Sequence, residues 1–584
     1  MKLIAILCSL ALAVTSFAAV QRPNIIVFYT DDHGFADLGI RGIEKDVRTP
    51  HLDALAKSGV VAAHGYSTAP QCVPSRGGLM TGRFQGRFDL DNNGSSLDGF
   101  NKQTTIATRL QNAGYVTGQF GKWHLGPLAE IPRHGFRHVY AQHGGQSFSA
   151  NIQADGTDRP MSEMKPEYYH LDGCSRAAAS IIERYHAEPF FLYVAFRAPH
   201  TPLDAPQSYK DRFPGPMPER RRAALAMLSA VDDGVGLVTD TLKKHGLTEK
   251  TLIFLIGDNG APLKIHKTDS PLNGDAGGWD GSLNTPLNGE KGMLAEGGMH
   301  VPFLIAWPGT IPGGQVYEHP VSALDVAATA VEVASISAKG ELDGVNLIPH
   351  LTGKVKAPPH EFLAWRWMAQ SAIREGKWKL LRGGEREYLY DLDSDLTEKH
   401  NLASQHPDIA SRLREKLTHW CAELTPPGLA LGPMAQNWND YFDHYLEGKP
   451  VSPSPAKAKS QPGTVRGWLA RNGTLEDKDG VMLFTPQNNR KAGFLTRSQL
   501  SLRAPAKVQL KLKSSASGPA SVAWRVQDEK DFVPANQLPF KLESTPDWQT
   551  HTLDLPATGR IIHLRLHLPG AAEIQQLDLQ PSKN

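Results

Sequence analysis

Between Asn24 and about Ala334, short β-rich apolar runs alternate with stretches of helical periodicity. That pattern marks βα units laid into one largely parallel sheet, and it constrains the fold more than any other feature of the chain. The runs are Ile25-Ile26-Val27-Phe28-Tyr29, Tyr115-Val116-Thr117-Gly118-Gln119-Phe120, Phe190-Phe191-Leu192-Tyr193-Val194 and Leu252-Ile253-Phe254-Leu255-Ile256. Helices are expected over Thr105–Ala113, Cys174–His186 and Arg221–Lys244.

In open α/β sheets, sites form beyond the carboxyl ends of the strands. Here the first run is followed by Asp31-Asp32, the second by Lys122 and His124, the third by His200 and the fourth by Asp258-Asn259. Any one of these alone reads as a turn former. Four successive strands delivering polar side chains at one end point instead to a site. Asp31, Asp32, Asp258 and Asn259 form an all-oxygen set with three negative charges, which suits Ca²⁺ or Mg²⁺ and lacks the His and Cys ligands usual for zinc.

The segment Cys72-Val73-Pro74-Ser75-Arg76-Gly77-Gly78-Leu79-Met80-Thr81-Gly82-Arg83 has the make-up of a helix start, with Pro74 in the first turn and Gly82 as its stop. Cys72 then lies at a helix N-terminus, where free N–H groups and the dipole favour an anion. A buried cysteine ahead of a surface helix is the plainer reading of the same residues.

This segment resembles the sulfatase signature C-x-P-S-R-x-x-L-x-T-G-R at every fixed position. Gly114 to Gly126, which contains Gly121-Lys122-Trp123-His124, resembles the second signature of that family. Ala198-Pro199-His200-Thr201-Pro202, Gly257-Asp258-Asn259-Gly260, Gly289-Glu290-Lys291-Gly292 and Leu389-Tyr390-Asp391-Leu392 match in the expected order, so the resemblance covers about residues 22 to 425. It implies an alkaline-phosphatase-like α/β/α sandwich and a sulfuric ester hydrolase. It further implies that Cys72 is oxidised to formylglycine by a maturation enzyme, and that the hydrated aldehyde is the nucleophile. Calcium would be held by Asp31, Asp32, Asp258, Asn259 and residue 72. Arg76 and Lys122 would hold the formylglycine hydrate, Lys291 and His200 would meet the sulfate and the leaving oxygen, and His124 would act on the formylglycine hydroxyl. Two departures stand out: His300 replaces the arginine usual before Val301-Pro302, and Asp325-Val326-Ala327-Ala328-Thr329 lacks a common proline.

Around this core the chain is 584 residues long, more than one hydrophobic core usually holds. Residues 1–18 read as an export signal: Met1-Lys2 is the positive start, Leu3 to Phe17 is apolar but too short to span a bilayer, and Ser16-Phe17-Ala18 offers a cleavage site. A periplasmic or secreted protein without stable membrane insertion is expected. Cys8 leaves with the signal, and Cys174 and Cys421 are either bridged or two separate thiols. Residues 19–345 are expected to form the α/β catalytic part and 346–447 a small α+β subdomain, with short strands over Glu361–Leu402 and a helix over Asp408–Leu424. Residues 448–463 read as an extended Pro- and Lys-rich linker. Residues 464–584 alternate polar and apolar, as in Lys507 to Leu512 and Ile561 to Leu566, which favours an antiparallel β-sandwich.

Charged residues make up 21% of the chain and the net charge is +2, which gives no basis for nucleic-acid binding. A sulfated carbohydrate is the expected substrate, because export and an appended sandwich fit work on external glycans. The alternatives are a phosphonate or phosphodiester hydrolase and a non-catalytic sulfated-glycan binder. Ala261–Asn284, with Trp279, and Tyr140–Tyr169 are irregular enough to be substrate-selecting loops or simply solvated ones.

Overall fold

The computed structural model describes residues 22–581, apart from 144–145, 164–167, 267–278, 426–437, 451–463, 488–492, 499, 501, 528 and 530. The expected export signal and most of the expected linker therefore lie outside the described residues, as does the middle of the Ala261–Asn284 loop. Contacts divide the chain into two units, one ending at Val451 and one beginning at Ser452.

In chain order the first strands are β1 Asn24–Asp31, β2 Val60–Ala62, β3 Gly65–Tyr66, β4 Val116–Gly121, β5 His138–His143, β6 Gln146–Ala150, β7 Ser162–Glu163, β8 Phe190–Pro199, β9 Thr251–Gly257, β10 Phe303–Ala306, β11 Gln315–Tyr317 and β12 Val321–Ser322. Ten of them form one sheet in the order β11-β2-β10-β9-β1-β8-β4-β5-β6-β7, while β3 pairs with β12. The four expected strands are its centre: β4, β8, β1 and β9 are neighbours and all parallel. The sheet is more mixed than the sequence suggests. β10 runs antiparallel to β9 and β2, and β6 runs antiparallel to β5 and β7. Among the described residues between β9 and β10 the one helix is the single turn Glu296–Met299.

Alternate residues of the central strands feed two cores, one on each face. Ile25, Val27, Tyr29, Phe191, Tyr193, Phe254 and Ile256 pack against Val73, Leu79 and Met80 of the helix Cys72–Thr81 and Val326 and Ala330 of Asp325–Val333. Ile26, Phe28, Leu192, Val194, Ile253 and Leu255 pack against the helices His170–Tyr185 and Glu219–Lys244. The result is the α/β/α sandwich. Cys174 lies within the second core and Cys421 is part-buried on the helix Pro407–Ala422; both are free thiols, so no bridge joins them.

The rest of the first unit is a four-stranded antiparallel meander, β13 Leu363–Trp367, β14 Gln370–Glu375, β15 Trp378–Gly383 and β16 Arg386–Asp391. One face packs Ile373, Leu380 and Leu389 against Leu413 and Leu417 of the helix Pro407–Ala422. The other face meets Tyr66, Phe84 and Met293, which draws it towards the segment that follows Lys291. There Lys379 is fully buried between Glu296 and Glu398, 2.8 Å from each. His300, at the position where arginine is usual, sits in the same region, 3.1 Å from Glu296 Oε2 and against the rings of Phe35 and Tyr66.

The second unit is all β. Its strands are β17 Thr464–Val465, β18 Trp468–Arg471, β19 Gly473–Lys478, β20 Val481–Pro486, β21 Phe494–Arg497, β22 Leu502–Arg503, β23 Ala506–Ser514, β24 Gly518–Val526, β25 Gln537–Leu542, β26 Gln549–Leu555, β27 Arg560–His567 and β28 Ala572–Pro581. They form two antiparallel sheets, β17-β18-β21-β27-β24-β25 and β19-β20-β28-β23-β26, with β22 added to β27. Trp468, Leu495, Leu564, Leu566, Val522 and Trp524 of the first sheet meet Phe484, Val508, Leu510 and Ile574 of the second.

Candidate active site

The ends of β1, β4, β8 and β9 converge beside the N-terminus of the helix Cys72–Thr81. Parallel pairing at the sheet centre places Asp31 and Asp32, Lys122, His200 and Asp258 at one edge, because each follows its strand at the same end. Asp32 adopts left-handed backbone (φ 58), and its N–H donates to Asp258 Oδ1 at 3.0 Å.

The helix itself begins after an extended Gln71 and ends at Gly82 in left-handed backbone (φ 65). All ten of its residues are buried, and a Cβ at Gly77 or Gly78 would meet Leu90 or Thr68 at 2.3 or 2.4 Å. Those two glycines let the helix press into its surroundings and hold Cys72 against the strand ends. The Val73 N–H, one of the free donors of the first turn, is capped by Asn93 Oδ1 at 2.9 Å.

Cys72 Sγ lies 3.4 Å from Asp31 Oδ1 and 3.3 Å from Lys291 Nζ. Lys122 Nζ donates to Asp31 Oδ2 at 2.6 Å. Lys291 Nζ donates to both oxygens of Asp32, at 2.6 and 2.8 Å. Arg76 is fully buried; its Nη2 donates to Asp258 Oδ2 at 2.8 Å and its Nη1 to the Tyr193 hydroxyl at 3.2 Å. His200 Nδ1 donates to the Thr201 carbonyl at 2.5 Å, which leaves Nε2 facing Asp32 Oδ2 at 3.7 Å. Asp31, Asp32, Cys72 and His200 each offer a ligand atom within 4.8 Å of the others.

The titrations follow from this crowding. Burial pushes the Asp258 carboxyl up to about 7; the Asp31 charge adds to the push and Arg76 opposes it. Burial also works against ionised Asp31, but Lys122, His200 and Arg76 outweigh it and hold Asp31 well below the usual carboxylate range. Desolvation would lower Lys291, yet Asp32 and the neighbouring anionic groups keep it well above its ordinary value. Burial pushes the Cys72 thiol far up, with Asp258 adding to it, so an unmodified Cys72 is a protonated, poor nucleophile. Burial also governs His200, against the two carboxylates that would favour its charged form. Its side chain keeps a quarter of its surface exposed, yet desolvation outweighs Asp31 and Asp32 and pushes it down to about 4.

Asn259 Nδ2 donates to Asp32 Oδ1 at 2.6 Å, while its buried Oδ1 has no hydrogen-bond partner among the described residues. An orphaned amide oxygen beside three crowded carboxylates, one of them pushed towards neutrality, fits a hard divalent cation. The residues present therefore suit the ion that the sequence pattern suggests.

His124 follows β4 and Lys122. It has left-handed backbone (φ 62) and lines a cavity of about 260 Å³ with Val73, Asn93, Ser95, Leu97 and Gly126. Sequence reasoning missed Asn93 and Glu290. The Glu290 carboxylate accepts the backbone N–H groups of Leu263, Lys264, Ile265 and His266, and so fixes the loop beside Lys291. The Asn92-Asn93-Gly94 turn and the carboxylate next to Lys291 were the only local signals for either.

The sulfatase family model matches residues 23–336, more than half of the chain. The chain belongs to the sulfatase family. A second model, the C-terminal part of N-sulphoglucosamine sulphohydrolase, matches residues 289–423. The sulfatase chain is 27% identical to the uncharacterized sulfatase YdeN of Escherichia coli over 508 residues, covering 71% of this chain and 88% of that one. It is 30% identical to N-acetylgalactosamine-6-sulfatase of Sus scrofa over 392 residues, covering 61% and 71%. The solved structure of Ps i-CgsB in complex with k-i-k-neocarrahexaose superposes with a TM-score of 0.62 at 30% identity, covering 72% of this chain and 98% of that one. The enzyme is a sulfuric ester hydrolase with the alkaline-phosphatase-like fold.

Proposed function

We propose that this sulfatase is exported and removes sulfate esters from carbohydrates, with a formylglycine made from Cys72 as its nucleophile. The observation that carries the reading is the setting of Cys72: a buried side chain at a helix N-terminus, between the Lys291 ammonium and the Asp31 carboxylate. As a thiol it is held protonated there; as a hydrated aldehyde it presents two hydroxyl groups to donors already in place. The apolar stretch Leu3 to Phe17 supports export, and the relatives named for a sugar sulfate or solved with an oligosaccharide support a sugar substrate.

Asp31, Asp32, Asp258 and Asn259 would hold a calcium ion, together with residue 72. When bound it supplies positive charge beside the sulfate oxygens. The chain's own residues do the rest. Lys122 and Arg76 keep the formylglycine hydroxyls oriented, and Lys291 and the helix N-terminus meet the charge that spreads over the sulfate oxygens. One hydroxyl of residue 72 attacks sulfur and passes its proton to the neighbouring Asp258 carboxylate; the bond to the sugar oxygen breaks, and that oxygen leaves with the electron pair and takes a proton from His200 Nε2. The second hydroxyl then gives its proton to His124, its C–O bond becomes a carbonyl, and sulfate departs. Water re-forms the hydrate. A serine or unmodified cysteine lacks that second hydroxyl and has no such exit.

The test is mass spectrometry of the peptide containing residue 72, from protein exported by a host with the maturation enzyme. An aldehyde in place of the thiol is expected; fully active protein with unmodified cysteine would sink the reading. Paired sulfate and phosphonate esters of one alcohol check the reaction class, with the sulfate expected to turn over faster.

A further inference from the structure

The helical turns Trp438–Tyr441 and Phe442–Leu446 stand near the end of the first unit, beyond the residues that either family model matches. On one side they are tied to the meander. The Phe442 ring meets Tyr388 edge-on, with centroids 5.6 Å apart, and Arg386 Nη1 donates to Asp443 Oδ1 at 2.8 Å. On the other side they reach the turn that carries Lys291. Asn288 Nδ2 donates to the Tyr445 carbonyl at 2.7 Å, and the Tyr445 hydroxyl donates to Glu290 Oε1 at 3.1 Å. Tyr441 lies over Gly292, where a Cβ would meet its hydroxyl oxygen at 2.7 Å. The same hydroxyl is 3.2 Å from His266 Nδ1.

Lys291 is thereby held from both neighbours. The residue before it, Glu290, is fully buried, so its charge has to be met by donors within the fold. Tyr445 adds its hydroxyl to Oε1, which also accepts the N–H groups of Ile265 and His266. The residue after it, Gly292, lies under Tyr441. Backbone bonds fix the segment between: the Lys291 N–H donates to the Ala261 carbonyl at 3.2 Å and the Gly292 N–H to the Pro70 carbonyl at 2.9 Å. Gly289 and Gly292 both have left-handed backbone (φ 90 and 88), so the turn is tight and a shift at either end carries Lys291 with it. The Lys291 charge also reaches Tyr441. Burial raises that phenol well above its ordinary value, Glu290 adds to the push and Lys291 opposes it. An ammonium that stabilises developing charge is effective only when its place is fixed before the reaction begins.

We propose that Tyr441 and Tyr445 are positioning residues for the Lys291 ammonium, acting through Gly292 and Glu290. The working part of the enzyme then extends to residue 446. The task given to Lys291, meeting the sulfate oxygens, rests on the sulfate-ester reading; the clamp itself rests on the contacts of the two tyrosines.

The experiment is a double-mutant cycle in the full-length, matured enzyme. Tyr445→Phe removes one oxygen and keeps the ring. It should lower kcat/KM by about tenfold, because a buried carboxylate beside Lys291 loses a donor. The factor should be the same on nitrophenyl sulfate and on a sulfated sugar, since the sulfate group is common to both. In a Lys291→Met background the same substitution should cost less than about twofold, because the ammonium it serves is gone. An equal loss in both backgrounds would make Tyr445 a structural residue only and overturn the proposal. So would full activity of Tyr445→Phe combined with Tyr441→Phe. Hydrogen exchange of the peptide spanning residues 289–292 reads the clamp without turnover. Exchange there should be faster in the tyrosine variants while the central strands keep their protection, and unchanged exchange would also overturn the proposal. Wild-type turnover by Lys291→Met would instead refute the sulfate role of Lys291, and exchange would then decide the clamp alone.

Discussion

Lys291 Nζ lies 3.3 Å from Cys72 Sγ while donating to both carboxylate oxygens of Asp32. One ammonium thus links the reactive position to the proposed cation site, and its removal strikes both. Lys291→Met leaves the buried Asp32 carboxylate without its ammonium partner, a loss typically worth about 3–5 kcal/mol. It also removes a cation from the sulfate oxygens, which is typically worth about 10²–10³ in turnover. Thermal melts with and without calcium, alongside kcat, separate the two effects. Calcium should recover much of the stability, because it can neutralise Asp32, and little of the turnover. Full recovery of both would mean that Lys291 only balances charge.

Metal binding should depend on pH through Asp258. Its carboxyl is pushed up to about 7, so near neutrality the metal-free site holds a proton that a cation must displace. Above about 7 the affinity for calcium should be flat; below it, affinity should fall by about tenfold per pH unit, with a proton released on binding. Calorimetry in two buffers of different ionisation enthalpy measures that release. Asp258→Asn should weaken binding and abolish the pH dependence. An affinity unchanged between pH 6 and 8 would mean that Asp258 is already ionised in the metal-free protein.

A third expectation concerns the buried Glu296–Lys379–Glu398 group, where one ammonium serves two carboxylates. Burial and the Glu296 charge raise Glu398 to about 7, while Glu296 is held well below the usual range because Lys379 and His300 outweigh its desolvation. A glutamate in the unfolded chain titrates near about 4.3. Between that value and about 7 the folded state binds the extra proton at Glu398, so its contribution to stability is greatest at the acid end of the window and declines as pH rises through it. Glu296 acts in the opposite sense, and only at lower pH. Glu398→Gln keeps an acceptor for Lys379 and removes the titration. Its stability relative to wild type should therefore improve from pH 5 to pH 7, as measured by denaturant melts at saturating calcium. A difference constant across that range would refute the assignment.

The parts of the site written into short sequence were the most legible. Asp31-Asp32, Lys122, His200 and Asp258-Asn259 each follow a β-rich run directly, so parallel packing of those runs was enough to bring them together. The glycines of Cys72–Gly82 were visible as well, although not the reason for them, which is contact with Leu90 and Thr68 from outside the helix. Asn93 and Glu290 were not legible, because each acts on backbone that only the tertiary fold brings near. The antiparallel course of β10 escaped for the same reason: its pairing with β9 and β2 is set by the tertiary fold and leaves no local pattern in Phe303–Ala306. In the second unit the alternation was plain, but how its strands divide between two sheets depended on strand order, and no local pattern encodes that.

The sharpest test of the chemistry concerns His200. Its Nδ1 proton is committed to the Thr201 carbonyl, so Nε2 is the atom that can carry a proton to the departing oxygen. In the substrate-free site desolvation holds the ring down to about 4, so it rests neutral at working pH. An arriving sulfate ester brings a negative charge against Nε2, and an added anion favours the protonated ring. A sugar alkoxide leaves poorly and needs that proton, whereas a nitrophenolate leaves without it. His200→Ala should therefore slow hydrolysis of a sulfated sugar about 10²–10⁴-fold more than hydrolysis of nitrophenyl sulfate, the usual range for general acid catalysis. The comparison controls itself, because loss of metal or of residue 72 would depress both substrates alike. Equal losses on the two esters, in a variant shown to be folded, would make His200 a sulfate-binding group and move the acid role to His124, which lines the neighbouring cavity with Val73.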